Sequence, residues 1–182
     1  MNRQLAVFPV PKTGKISLVV SPRGVVHSLM IMLAALALRG KVIVVDGGNC
    51  FDGYALARTL RRHTHNINAA LQQVLLTRAF TCYQMMAMLA ELPIDGTPVI
   101  ILDMLSTFLD ENVSFTKRLR LLENSLSLIR RISENAPVAV WARTRTTPTG
   151  EDEQFLIPLL ETAHDIWQLQ APGIPTHQLP LF

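Results

Sequence analysis

The segment Ser21-Pro-Arg-Gly-Val-Val-His27-Ser28 joins an apolar run to a helical pattern, which is where α/β proteins wrap backbone amides around a phosphate. Full phosphate-loop chemistry needs G-x-x-x-x-G-K-[ST]. The glycines let the backbone close on the phosphates, the lysine binds their charge, and the hydroxyl holds magnesium. Here only Ser28 stands in register. His27 occupies the lysine place and Val26 the second glycine place, where a branched side chain crowds the loop and disfavours its backbone angles. Gly14-Lys15 is no substitute, because Ile16 follows it. Arg23, with Gly24 and free amides at a helix start, could still hold an anion. The plainer reading is a loop that opens a helix. Two further carboxylates, Asp46 and Asp103, each end an apolar run. A weak hydrolase would have to work with Ser28, Asp46 and Asp103.

Other constellations carry less chemistry. His63-Thr-His65 lacks a third ligand at a supporting spacing, so no metal is expected. Cys50 has no base beside it in sequence. With Cys82 it makes no disulfide framework, and the pair is expected as free thiols in a reducing cytoplasm. The Met85-Met-Ala-Met88 cluster reads as core filler, and Trp141 and Trp167 read as core. Thirteen of the seventeen basic residues are arginine, the side chain suited to bidentate phosphate or carboxylate contacts. Lys117, Arg118 and Arg120 open a long helical pattern, while Arg143 and Arg145 follow a strand and flank a polar loop. These are candidate DNA-phosphate contacts. A solvated helix face is the competing reading for Lys117 to Arg131.

The elements that position these residues follow from periodicity. Ile16–Val20, Lys41–Asp46 and Pro98–Asp103 are short, β-branched runs without polar alternation, the mark of strands buried on both faces. Val138–Ala142 reads as a fourth strand, with Val74–Thr77 and Asp165–Leu169 weaker. Between them lie helical patterns at Val25–Leu38, Tyr54–Arg62, Cys82–Leu92 and Phe115–Glu134, the last with apolar residues every three or four. Alternating strands and helices predict an α/β fold with a mainly parallel sheet flanked by helices, whose ligands bind beyond the carboxyl ends of the strands.

With 182 residues, the chain suits one domain. A hydrophobic fraction of 49% against 17% charged excludes a disordered chain. A net charge of +3 says little about partners by itself. The longest apolar stretch, from Val25 to Leu38, falls short of the roughly twenty residues of a spanning helix, so it reads as a core helix and no membrane partner is expected. Residues 1–170 form the expected domain. Arg143 to Asp152 reads as a mobile loop, and Ala171 to Phe182, with three prolines and a glycine, as an extended tail.

Taken together, these residues resemble the ATPase core of the RecA family over roughly residues 11 to 170. Pro11 to Val20 is similar to the family's lead-in and first core strand, and Val44-Val-Asp46 to Phe51 to the second strand and its loop. In the family that loop carries a catalytic glutamate, and Gly47 or Gly48 lies at the matching place. Thr77-Arg-Ala-Phe80 with Gln84 is similar to the segment before the third helix. Val99-Ile-Ile-Leu-Asp103 resembles the strand whose aspartate helps hold magnesium, and Val138 to Arg145 the strand ending in a nucleotide sensor at Thr144 or Arg145. The departures fall on catalytic positions. The resemblance therefore implies a RecA-like fold with a degenerate site, no catalytic residue and no required cofactor, ATP and magnesium included. Such a degenerate core resembles the bacterial ImuA/SulA-like group, whose members assist a mutagenic DNA-repair polymerase or block cell division in the SOS response.

Gln178-Leu179-Pro180-Leu181-Phe182 resembles the pentapeptide that binds the bacterial sliding clamp, Gln-Leu-x-Leu-Phe. An extended peptide can place Leu181 and Phe182 in an apolar pocket while the Gln178 amide fixes register. Four fixed identities match by chance on the order of once in a hundred thousand positions. The alternative is that Phe182 packs back onto the domain. The resulting expectation is a bacterial cytoplasmic accessory protein of DNA repair or translesion synthesis, with the clamp, a polymerase or RecA-family protein, and DNA as partners. A division inhibitor acting by protein binding and a weak ATPase are the competing expectations.

Overall fold

The computed structural model describes residues 10–21, 26–110, 112–143 and 150–168. Six parallel strands form one sheet: β1 (Ile16–Ser21), β2 (Val42–Asp46), β3 (Val74–Arg78), β4 (Val99–Leu102), β5 (Val138–Arg143) and β6 (Asp165–Gln168). Their order is β3-β2-β4-β5-β1-β6. The expected α/β class is what the chain adopts, and all six expected strands are present.

A parallel connection is right-handed, so the direction of each step along the sheet decides which face its helix covers. The steps from β1 to β2 and from β2 to β3 go one way, carrying α1 (Val26–Ala37), α2 (Gly53–Leu60) and α3 (Ile67–Gln72). The next three steps go the other way, carrying α4 (Cys82–Glu91), α5 (Phe115–Ser133) and α6 (Glu151–Thr162). Two cores result. Leu29, Leu33, Leu56, Leu60, Val44 and Trp141 pack on the first face. Met85, Leu89, Leu122, Ile129, Phe108 and Phe155 pack on the second. Successive residues of a strand serve opposite faces, which is why β2 contributes Val44 to one core and Ile43 and Val45 to the other.

The apolar stretch expected as a core helix is α1, with seven buried residues from Leu29 to Ala37. No helix among the described residues is long and apolar enough to cross a membrane. Three elements depart from the expectations. A 3-10 helix at Met104–Phe108 follows β4, α3 is extra, and α6 begins inside the segment expected as a loop. That loop expectation is corrected at both ends: Arg143 ends β5, and Glu151 and Asp152 open α6. Helix α6 tolerates Pro158 because Phe155 and Leu159 anchor it through the second core. Trp167 corrects another expectation. It lies on the edge strand β6 and is 41% exposed, whereas Trp141 is buried in β5.

Candidate functional site at the carboxyl edge of the sheet

Because every strand is parallel, their carboxyl ends share one edge, and the topology gathers there residues far apart in sequence. Asp46 ends β2 with its side chain fully buried. Its carboxylate accepts from the backbone amides of Cys50 at 2.9 Å and Phe51 at 3.0 Å, folding the following loop around itself. The guanidinium of Arg78, in register with Asp46 across β2 and β3, lies 3.5 Å from the same carboxylate. Asp46 is thus the anchor of its own loop.

Asp103 follows β4 with φ of 47°, a left-handed conformation in which the chain turns from the strand into the 3-10 helix. Its carboxylate is buried, accepts from the Ser106 hydroxyl, and forms an ion pair with Arg143 at the end of β5. Arg143 also donates to the Cys50 Sγ at 3.1 Å, and its guanidinium lies 5.9 Å from the Trp141 ring centroid. The Cys50 thiol in turn donates to the Gly48 carbonyl at 3.2 Å and stands 3.8 Å from Asp103 Oδ2. Burial, then the negative charge of Asp103, push the Cys50 thiol above its ordinary range, and Arg143 opposes them. The sulfur is therefore held as a thiol.

Two glycines close the cluster. A Cβ on Gly48 would collide with the Asp103 side chain, and one on Gly47 would fall 2.8 Å from the Met85 Cε and 3.0 Å from the Asp103 carbonyl. The place matched to the family's catalytic glutamate has no room for a side chain pointing that way. On β1, Ser21 accepts from the Trp141 indole at 2.8 Å in a buried contact. The first residue of the phosphate-loop match is a partner of the core.

Of the residues singled out by sequence, Ser21, Asp46, Asp103 and Arg143 come together at this edge. His27 and Ser28 lie half-buried in the first turn of α1. Arg23, Gly24, Thr144, Arg145 and the whole of Gln178 to Phe182 lie outside the described residues.

The candidate DNA contacts divide. Lys117 and Arg120 are exposed on α5, with the Lys117 ammonium 5.2 Å from the Tyr83 ring centroid. Arg118 is a correction, because it is 3% exposed. Its guanidinium donates to the Phe108 carbonyl at 3.0 Å, pairs with Glu151 at 3.0 Å, and faces the Phe115 and Phe155 rings. It pins the start of α6 to α5 and is shut off from phosphate. Arg143 is likewise committed to Asp103 and Cys50 and is not a free surface cation. His63 and His65 are both exposed after α2.

Sequence reasoning missed Arg78, Ser106 and the contact of Cys50 with Arg143. Only Arg78 left a readable signal, since pairing β2 with β3 puts it beside Asp46. Chemically, both carboxylates are engaged by protein donors, and the Cys50 thiol keeps its proton. Such a cluster holds loops in place. No protein-family model and no curated protein matches this chain.

Proposed function

We propose that the chain is a non-catalytic, RecA-like accessory protein of bacterial DNA repair or translesion synthesis. In this reading Gln178, Leu179, Leu181 and Phe182 recruit it to the sliding clamp, while its core contacts a polymerase or a RecA-family partner and DNA. The observation that carries the non-catalytic part is the ion pair between Asp103 and Arg143 with Gly48 packed on it. The carboxylate that would serve magnesium is already neutralised by protein. The recruitment part rests on the pentapeptide. A short peptide binds weakly by itself, and gains when other contacts of the same chain raise its effective concentration at the clamp.

The test is binding of the full chain to the host's sliding clamp beside a version ending at Thr176. Binding that disappears with residues 177–182 supports recruitment. Binding in neither form overturns it and favours a division inhibitor acting through the core. Magnesium-dependent ATP turnover that Asp103→Ala abolishes would instead favour a hydrolase.

A further inference from the structure

The two helical layers differ in charge. Residues 1–90 hold ten lysines and arginines against two acids, Asp46 and Asp52, whereas residues 91–182 hold seven against twelve. From the first set, Arg39, Arg58, Arg61 and Arg62 are exposed at the end of α1 and along α2. Of the two acids of the first set, only Asp52 is exposed. Asp46 is buried with Arg78, and Asp52 caps α2 by accepting from the Ala55 amide at 2.9 Å.

Helix α2 concentrates the effect. Ala55, Leu56, Thr59 and Leu60 face the core. The opposite stripe presents Tyr54, Arg58, Arg61 and Arg62, at spacings that put them on one side of the helix and its final turn. Tyr54 is 71% exposed, and the Arg58 guanidinium lies 5.9 Å from its ring centroid. Arg39, exposed where the chain leaves α1, adds to the same layer. Among the described residues none of these arginines forms an ion pair, whereas Arg78, Arg118 and Arg143 each meet a carboxylate.

We propose that this face of α2 binds single-stranded nucleic acid, the arginines meeting phosphates and the bare Tyr54 ring stacking on a base. Unpaired guanidiniums in a layer poor in acids attract a polyanion through the charge itself. An aromatic ring held by a cation, otherwise uncovered, is the platform on which any unpaired base can stack. Paired bases of a duplex offer no such face, which selects the single strand. The surface lies on the helical layer, apart from Arg143 at the end of β5, and from Lys117 and Arg120 on the opposite face. The inference deepens the proposed role at DNA and rests on it for the choice of ligand.

The experiment is fluorescence anisotropy of a labelled oligothymidylate with the full chain, across a salt series. Arg58→Ala/Arg61→Ala/Arg62→Ala should weaken binding by about tenfold or more at low salt and lower the slope of log affinity against log salt by about 2. Tyr54→Ala should weaken binding roughly tenfold and leave that slope unchanged. Lys117→Ala/Arg120→Ala, which removes the exposed candidate contacts of α5, should weaken binding less than the α2 variant does. Thermal melting of each variant alongside the parent separates a binding loss from a folding loss. Retained binding in the α2 variant with loss in the α5 variant overturns the proposal. So does binding to phosphatidylglycerol vesicles with none to the oligonucleotide. The same variants run against the clamp keep the two ideas apart. Failure of the clamp arm alone removes the recruitment reading, and failure of the oligonucleotide arm alone removes this surface.

Discussion

Arg143 and Arg58 are the same residue type in opposite employment. At the carboxyl edge of the sheet, Arg143 meets a buried carboxylate and a thiol, and its charge is consumed by the fold. On α2, Arg58 lies against the Tyr54 ring and is exposed. Local sequence does not distinguish them, since each sits among small and polar neighbours. The difference is made by topology: parallel strands bring Asp103 beside Arg143, whereas no acid lies in sequence between Asp52 and Glu91 to reach α2. An arginine is available to a partner only where the fold has not already supplied one.

Removing one side of the internal pair breaks this comparison most strongly. Asp103→Ala leaves Arg143 half-buried and uncompensated. It should destabilise the chain by about 3 kcal/mol, seen as a melting temperature lower by roughly 6–12 °C. Adding Arg143→Met should restore part of the loss. Gly48→Ala comes next: its methyl meets the Asp103 side chain and should cost about 2 kcal/mol by overpacking. That cost should shrink in an Asp103→Ala background, which denaturant titration of the double mutant reads directly.

The Cys50 thiol gives a gentler probe, and the sign follows from its neighbours. Burial and Asp103 hold the proton on, while Arg143 pulls it off. Iodoacetamide labelling of the Cys50 peptide should therefore begin at higher pH than for an ordinary cysteine. Asp103→Asn should bring the onset down, and Arg143→Ala should push it further up. An onset indifferent to both changes would mean that the cluster is not coupled. The smallest effect belongs to the other side of the comparison. Arg58→Ala/Arg61→Ala/Arg62→Ala should alter stability by no more than about 0.5 kcal/mol, because among the described residues none forms an ion pair with these side chains.

What the sequence disclosed follows the same division. Strands β1, β2 and β4 announce themselves because buried parallel strands need unbroken β-branched runs. The weaker β3 and β6 are the two edges of the sheet, where exposure of Leu75, Leu76 and Ile166 dilutes the pattern. Helix α6 was hidden by its polar opening turn and by Pro158. Arg118 is more instructive. It stands three residues after Phe115 and four before Leu122, on the buried stripe of α5, so the spacing marked it as internal while its type suggested the surface. Its partner, Glu151, lies on another helix and leaves no local trace. The contacts of Cys50 with Asp103 and Arg143 span 53 and 93 residues. Contacts of that reach exist only once the strand order does.

That strand order also sets a schedule for synthesis. Strand β1 is made first, yet it lies between β5 and β6, the last two to appear. Until residues 138–143 leave the ribosome, Ile16 to Ser21 has no strand to pair with, a wait of roughly ten seconds at ~10 residues per second. Strands β2, β3 and β4 can pair in the meantime, since they are neighbours in the sheet. The nascent chain thus carries a partial sheet with one unclaimed apolar ribbon at its leading end, and completion waits on the arrival of β5. A chaperone that shelters extended apolar segments would find this ribbon, and premature release would expose it to other chains.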